Sequence, residues 1–106
     1  MDRLNTKKKV AVFISGRGSN LKSLIKHSKK NNSKYKIELV ISNKKKAKGL
    51  HYAKKNKIKN IAIEEKLELF EKKSLNFIKK NKIKILCLAG FMRVLSKNFL
   101  SKIKLI

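Results

Sequence analysis

The sequence has no proline, one cysteine, three arginines and six acidic residues among its 106 positions. It also lacks a low-complexity linker and an internal repeat, so it is one domain or part of one. The single cysteine, Cys87, excludes an intrachain disulfide, and a reducing cytoplasm is the simplest setting. No apolar run approaches the ~20 residues that a membrane-spanning helix needs. We therefore expect a soluble cytoplasmic protein without membrane association.

The scarcity of acids leaves 30 lysines and arginines almost unopposed, with a formal net charge of +24. Such a surface is typical of nucleic-acid binders. However, Arg3, Arg17 and Arg93 are the only arginines, and lysine is spread over the whole chain. Proteins that recognise bases and phosphates rely on the planar, bidentate guanidinium group of arginine, which is nearly absent here. The aromatic residues also form no base-stacking pattern. Charge therefore predicts nonspecific binding to polyanions and does not identify a function.

Four short apolar runs rich in β-branched residues alternate with stretches of helical periodicity. The predicted strands are Val10–Ile14, Ile37–Ile41, Ile58–Ile63 and Ile83–Leu88. The predicted helices cover residues 21–28, 47–53 and 67–78, and a fourth begins near Ser96. Because parallel neighbours need a crossover helix, this order predicts an α/β fold with a doubly wound, mostly parallel sheet. The first strand is expected to be buried on both faces, and the more polar third to lie near an edge.

The two ends of the chain carry further expectations. Residues 1–9 are polar and basic, which predicts a short tail before the first strand rather than a secretory signal. Residues 10–106 are expected to form part of a single domain. The apolar segment Ile103–Ile106 is typical of an entering fifth strand that stops without a turn, so we expect a sheet that is incomplete at this point.

The first candidate site is the loop Ser15–Asn20 between the first strand and the first helix. In open α/β sheets, ligands bind at the carboxyl ends of strands. Two glycines permit close backbone approach, and Ser19 or Asn20 is expected to cap the helix, leaving amide groups free for a phosphate. The dinucleotide fingerprint is absent, because Leu21 occupies the third glycine position. An ordinary turn with a serine cap remains the alternative.

The second candidate site is Ala89–Leu95, which follows the fourth strand. If the strand order reverses in the usual way, the first and fourth strands are neighbours and their loops flank one crevice. Phe91, Met92 and Leu95 then offer an apolar wall with one cation, Arg93, suited to a flat and partly anionic ligand. The alternative is that these apolar side chains pack beneath the following helix.

Other candidates are interpreted as structural. Cys87 is predicted to be an inert residue within a buried strand. His27 and His51 have no ligand partner at suitable spacing, so we expect no metal site. Four of the six acids lie at the start of the third helix, where their negative charges interact favourably with the helix dipole. They are Glu64, Glu65, Glu68 and Glu71.

Taken together, these segments resemble the glycinamide ribonucleotide formyltransferase family of purine biosynthesis. The resembling stretches are VAVFISGRGSNL at Val10–Leu21, VISN at Val40–Asn43, AKGL at Ala47–Leu50 and LCLAGFMRVLS at Leu86–Ser96. The pairing of the two loops is far more specific than either glycine loop alone. The resemblance covers essentially the whole chain from Val10 and implies a Rossmann-like formyltransferase fold, with the chain as its N-terminal half.

The resemblance implies formyl transfer from 10-formyltetrahydrofolate to the amine of glycinamide ribonucleotide, without a metal. It implies a phosphoribosyl-binding set, Gly18, Ser19 and Asn20. It also implies a folate-binding set, Met92, Arg93, Val94 and Leu95. The small-molecule partners would be these two substrates.

Two departures from the family pattern matter. The family places a folate-contacting arginine near the start of the third helix, where this chain reads Glu65-Lys66-Leu67-Glu68, so the contact is either missing or passed to Lys66. The family's catalytic Asn-x-His-Pro segment and its later Asp follow the fifth strand and do not occur in these 106 residues, so no catalytic residue is assigned. We therefore expect the chain alone to be inactive. The competing hypotheses are a basic phosphate- or nucleic-acid-binding module without catalysis and a nonfunctional truncation.

Overall fold

The structure, a computed structural model, describes residues 7–106. Strands and helices alternate throughout this range. The strands are β1 (Lys8–Ile14), β2 (Tyr35–Ser42), β3 (Lys59–Ala62), β4 (Ile85–Leu88) and β5 (Lys104–Leu105). The helices are α1 (Ser19–Ser28), α2 (Gly49–Lys55), α3 (Leu67–Lys80) and α4 (Lys97–Leu100).

The five strands form one parallel sheet in the order β3-β2-β1-β4-β5. β1 lies at the centre, with Val12 opposite Val40 of β2 and opposite Cys87 of β4. The strand order therefore reverses between β1 and β4, and their loops emerge side by side. This confirms the doubly wound α/β class and the predicted neighbourhood of the two candidate loops.

The sheet is covered on both faces, and the alternation of side chains along β1 supplies both cores. Val10, Val12 and Ile14 pack on the side of α1 and α2. Ala11 and Phe13 pack on the side of α3 and α4. All five are at most 1% exposed, because a central parallel strand is buried on both faces and therefore reads as a continuous apolar run.

Several element bounds differ from the predicted ones. β1 begins at Lys8, two residues before its predicted start, and the first six residues of the predicted tail lie outside the described range. β4 begins at Ile85 rather than Ile83, because the chain is still closing the end of α3. Lys82 takes a left-handed φ of 57°, and the Ile83 N–H donates to the Ile78 carbonyl at 3.0 Å. This is a Schellman-type helix end.

Short strands bound the sheet on both sides. β3 is one edge, as its polar sequence predicted. The predicted fifth strand is present as β5 at the other edge, parallel to β4, with Leu105 44% and Ile106 50% exposed. No helix within residues 7–106 has the length and apolar content needed to cross a bilayer.

Candidate functional site

The candidate site lies at the carboxyl edge of the sheet, where the chain leaves β1, β2 and β4. The Ala89 N–H donates to the Phe13 carbonyl at 3.0 Å, and the Asn43 N–H approaches the Ile14 carbonyl at 3.4 Å. These bonds continue the ladders beyond the strands, so the three loops leave the sheet in contact. Such a reversal of strand order is where open α/β sheets bind ligands.

The first loop turns sharply at Gly18, which has a left-handed φ of 82° and acts as the N-cap of α1. A Cβ placed on Gly18 would lie 2.4 Å from the Gly49 Cα, so the loop and the start of α2 touch backbone to backbone. The Gly49 N–H also donates to the Gly16 carbonyl at 3.2 Å. Glycine at position 18 is therefore required both by its conformation and by this close approach.

The predicted cap at Ser19 or Asn20 is wrong. Both residues lie inside the first turn of α1, and no side-chain hydrogen bond caps this helix. The sharp turn at Gly18 starts the helix one residue earlier than a serine cap would. The Lys22 N–H is bonded to the Gly18 carbonyl at 2.8 Å, and the first-turn amides ahead of it have no carbonyl within the helix. Since Ser19 and Asn20 are exposed, this helix end is open to an anion.

A basic cavity of about 340 Å³ lies beside this helix end, between the loops that follow β1 and β2. Its lining includes Arg17, Lys44, Lys46 and Lys48, and it contains no acidic side chain. The Lys45 N–H at the far side of the same loop donates to a Glu64 carboxylate oxygen at 2.7 Å. Four exposed cations therefore lie beside the loop that leads into the positive N-terminus of α1.

The second loop alternates between inward and outward side chains. Phe91 packs against Phe13 and Phe70, with ring centroids 5.2 and 5.4 Å apart, and Leu95 is buried. Met92 and Val94 are instead 78% and 88% exposed. The packing alternative therefore applies to Phe91 and Leu95, two of the three residues expected in the apolar wall. Of that predicted wall only Met92 projects outward, and we define Met92 and Val94 together as the apolar ridge.

Side-chain bonds to α3 and to the turn before it hold the second loop from behind. The Arg93 guanidinium donates to the Glu65 carbonyl at 2.7 Å and lies 5.6 Å from the centre of the Phe70 ring. The Glu71 carboxylate accepts from both the N–H and the hydroxyl of Ser96, each at 2.7 Å. Arg93 is therefore engaged in holding the loop, and its side chain does not project with the ridge.

Ser15 joins the three loops beneath the surface. Its hydroxyl donates to the Asn43 Oδ1 at 2.7 Å, and its oxygen accepts from the Met92 N–H at 2.8 Å. Ser15 is 3% and Asn43 8% exposed, so the bond between them lies in the interior, whereas the bond to the Met92 N–H is partly buried. Buried polar groups of this kind are stable only when they are paired, and here each one satisfies another.

The remaining candidates contribute no reactive group. Within residues 7–106, no three His, Cys, Asp or Glu side chains come together as metal ligands would. His27 and His51 are both exposed. Cys87 is half-buried rather than fully enclosed, because β4 is less covered than β1, and burial raises the pKa of its thiol.

Comparison with known proteins identifies the family to which this arrangement belongs. A sequence profile of the family described as "Formyl transferase" matches residues 8–106, from β1 through β5. The chain belongs to the formyl transferase family. This confirms the resemblance drawn from the two loops of the sequence.

Relatives of this formyl transferase chain fall within purine biosynthesis. The human "Trifunctional purine biosynthetic protein adenosine-3" is 42% identical over 100 residues, covering 91% of this chain and 10% of that protein. The solved phosphoribosylglycinamide formyltransferase of Brucella melitensis is 33% identical with a TM-score of 0.84, covering 91% of this chain and 52% of its own. That of Campylobacter jejuni is 34% identical with a TM-score of 0.83, covering 94% and 56%. The chain thus spans about half the length of these two solved relatives.

Sequence reasoning missed the residues that hold the formyl transferase loops together. Ser15 and Asn43 were quoted only as parts of motifs, and Glu71 was interpreted as a helix-dipole residue. A signal existed for the first two: each is a polar residue placed directly after a buried apolar strand, where an unpaired polar group is unfavourable. No local signal connects Glu71 to Ser96, 25 positions later.

Proposed function

We propose that this chain forms the substrate-binding part of a phosphoribosylglycinamide formyltransferase. That enzyme transfers a formyl group from 10-formyltetrahydrofolate to the amine of glycinamide ribonucleotide. The supporting observation is the juxtaposition of an open, cation-flanked helix end and an exposed apolar ridge, whose loops meet at Ser15. One side suits a phosphate and the other a flat heterocycle, which matches two such substrates.

The phosphoribosyl group is assigned to Gly18, Ser19 and Asn20. The free amides of the first turn of α1 would donate to the phosphate oxygens, and the two exposed side chains add further donors. Arg17 and the lysines of the adjacent cavity would raise the local concentration of the anion before it docks.

The folate is assigned to Met92, Arg93, Val94 and Leu95. The exposed side chains of Met92 and Val94 would pack against the ring system. Arg93 and Leu95 point into the protein, so they would contribute backbone groups and keep the ridge in shape. Lys66 is exposed at the N-cap of α3 and carries no assignment.

The proposed reaction is an acyl transfer without a metal. The substrate amine attacks the formyl carbon, a C–N bond forms, and the bond from that carbon to N10 of the folate breaks. The amine loses a proton and N10 gains one. These proton transfers need an acid–base group, and the Asn, His and Asp that the resemblance implies do not occur in these 106 residues. The chain would therefore bind both ligands in the cytoplasm without transferring the formyl group by itself.

Calorimetry with glycinamide ribonucleotide tests the phosphate assignment. We expect Ser19→Ala and Asn20→Ala to weaken binding several-fold each, because each removes a polar group from the helix end. Ser23→Ala is the matched control, since Ser23 is also an exposed serine of α1 but lies one turn further along. Equal affinity of Ser19→Ala, Asn20→Ala and the control would contradict the assignment.

Formyl transfer is tested by complementation. We expect no turnover by the 106-residue chain, and turnover after addition of a polypeptide carrying the C-terminal half of the Campylobacter jejuni relative. Turnover by the chain alone would refute the proposal that it binds the substrates but lacks the acid–base groups for formyl transfer. A mixture that binds both ligands but remains inactive would contradict the proposal that this chain is part of a formyltransferase.

A distribution of charge favours a second function, nonspecific binding to polyanions. Among residues 7–106, every acid except Glu38 falls between Glu64 and Glu71. A second cavity of about 450 Å³, at the amino end of β2 between α1 and α2, is lined by five lysines and that single acid. The lysines are Lys7, Lys29, Lys36, Lys57 and Lys59. Binding here would depend steeply on salt.

Two double charge reversals separate this function from the first. Lys29→Glu with Lys36→Glu alters the second cavity, whereas Lys79→Glu with Lys80→Glu alters net charge equally at the end of α3. We expect the first pair to weaken binding to a single-stranded oligonucleotide more than the second. Equal effects would mean that net charge alone attracts polyanions. Ser19→Ala is expected to leave this binding unchanged.

A further inference from the structure

Ser15 occupies an unusual position between the two ligand loops. It is the first residue of the loop Ser15–Asn20, and its hydroxyl oxygen accepts the hydrogen bond of the Met92 N–H at 2.8 Å. Met92 is the first residue of the apolar ridge. One buried side chain therefore contacts both loops, although 77 positions separate the two bonded residues.

The direction of the bonds fixes how Ser15 sits. A serine hydroxyl has one proton, which it gives to the Asn43 Oδ1 at 2.7 Å, so its lone pairs are available to the Met92 N–H. Asn43 is held in turn by its backbone, whose N–H approaches the Ile14 carbonyl at 3.4 Å. Since Ser15 is only 3% exposed, its bond to Asn43 is buried, and its bond to the Met92 N–H is partly buried.

Backbone contacts link the other side of Ser15 to the phosphate loop. The carbonyl of Gly16 accepts from the Gly49 N–H at 3.2 Å, and Gly18 touches the Gly49 Cα closely. A shift of residues 16–18 towards a bound phosphate is therefore restrained on the α2 side. Residues 16–18 are also connected, through the neighbouring Ser15, to the backbone N–H of Met92 in the ridge.

We propose that Ser15 is a positioning residue that couples the two ligand sites. A phosphate ligand at the start of α1 fixes Ser15, Ser15 fixes the Met92 N–H, and the ridge is thereby ordered for the folate. This inference rests on the proposed function, because it deepens the role of the same two loops. Coupling of this kind is reciprocal, so the folate raises affinity for the phosphate ligand by the same factor.

The coupling is measured with glycinamide ribonucleotide and tetrahydrofolate, which carries no formyl group and cannot react. In the wild-type chain we expect saturating glycinamide ribonucleotide to tighten tetrahydrofolate binding by about fivefold, the lower end of typical coupling. In Ser15→Ala this ratio falls to about one, while each ligand still binds alone. In the control Ser23→Ala, an exposed serine of α1, the ratio stays at the wild-type value.

A second measurement needs no variant and covers the case in which Ser15→Ala fails to fold. Amide hydrogen exchange at Met92 is expected to slow when glycinamide ribonucleotide alone is added. An unchanged exchange rate with the ligand bound would overturn the coupling. A merely structural role for Ser15 would lower stability without changing the affinity ratio.

The outcomes distinguish the two proposals. If both ligands bind but the wild-type ratio is one, or if Ser15→Ala keeps the wild-type ratio, the coupling is wrong and the proposed function stands. If neither ligand binds the wild-type chain, the proposed function is wrong and the coupling falls with it.

Discussion

The two loops at the carboxyl edge are held in opposite ways. The first loop is fixed by backbone packing, with Gly18 against Gly49 and the Gly49 N–H bonded to the Gly16 carbonyl. The second is fixed by side chains, through the bonds of Arg93 to Glu65 and of Glu71 to Ser96. The first loop leaves the amides at the start of α1 without a side-chain cap, whereas the second presents two exposed apolar side chains above buried anchors.

In the first loop a methyl group added at Gly18 would meet the backbone of Gly49, whereas one added at Gly16 would meet nothing within 4 Å. In the second loop the outward side chains of Met92 and Val94 are mostly exposed, and the residues behind them are anchored by hydrogen bonds.

Replacing Gly18 is expected to be the most damaging single change. An alanine there adopts an unfavourable left-handed φ and places its Cβ 2.4 Å from the Gly49 Cα. Strain and overpacking together are expected to lower the free energy of unfolding by roughly 2–4 kcal/mol. Urea denaturation monitored by circular dichroism measures this loss.

Gly16→Ala is the matched control in the same loop. A Cβ at Gly16 meets nothing within 4 Å, and its φ is not left-handed. We expect its stability to stay within about 0.5 kcal/mol of wild type. Equal losses at the two glycines would show that the loop itself, and not the contact with α2, sets the requirement.

The fold was largely predictable from the sequence because its signals are local. A continuous apolar run identified β1 as central, and a more polar run identified β3 as an edge. The cap of α1 was predicted wrongly, since serine is a good cap and nothing nearby indicates that Gly49, 31 positions later, comes close enough to set the turn at Gly18. Such long-range approaches leave no local trace in a sequence.

Glu71→Ala tests the anchor of the second loop. It removes both acceptors of Ser96, whose N–H and hydroxyl then lack their partner. For these partly buried groups we expect a loss of about 1–2 kcal/mol in the free energy of unfolding. Denaturation curves give this value, and the effect is expected to be smaller than that of Gly18→Ala.

Glu68→Ala provides the comparison for Glu71. It makes the same change in α3, but Glu68 is exposed in the first turn and acts chiefly on the helix dipole. We expect a loss of at most about 0.5 kcal/mol. A larger loss at Glu68 than at Glu71 would show that the dipole, and not the bond to Ser96, is the main role of these acids.

Met92→Ala and Val94→Ala are expected to separate binding from stability. Both side chains are mostly exposed, so the free energy of unfolding is expected to change by less than about 0.5 kcal/mol. If the proposed folate assignment is correct, each substitution removes apolar contact with the ligand, and we expect tetrahydrofolate binding to weaken by about fivefold, or roughly 1 kcal/mol. Leu69→Ala, at an exposed apolar residue of α3, is the control and is expected to leave binding unchanged.

The ridge also shows where sequence reasoning about a site stops. The motif around Arg93 located the loop, but its composition was consistent both with an apolar wall and with side chains packed beneath the following helix. The alternation of Phe91 and Leu95 inward with Met92 and Val94 outward depends on the turn at Gly90, which has a φ of 72°. The amino-acid composition of the loop does not show how the chain turns at Gly90, and therefore does not show which of its side chains face the core.

The smallest effect concerns Cys87, in the strand that leads into the second loop and lies opposite Val12 of the strand that leads into the first. Burial raises the pKa of its thiol, so the folded chain binds this proton more tightly than the unfolded chain. The stability that the neutral thiol contributes is therefore present below the unfolded pKa and lost as pH rises through the folded pKa. We expect the rate of iodoacetamide alkylation to rise at higher pH in buffer than in urea, since only the thiolate reacts. Coincident pH profiles in buffer and in urea would contradict this prediction. They would show that β4, which leads into the second loop, exposes Cys87 to solvent as readily as the unfolded chain does, so the two loops would not share a stably packed sheet.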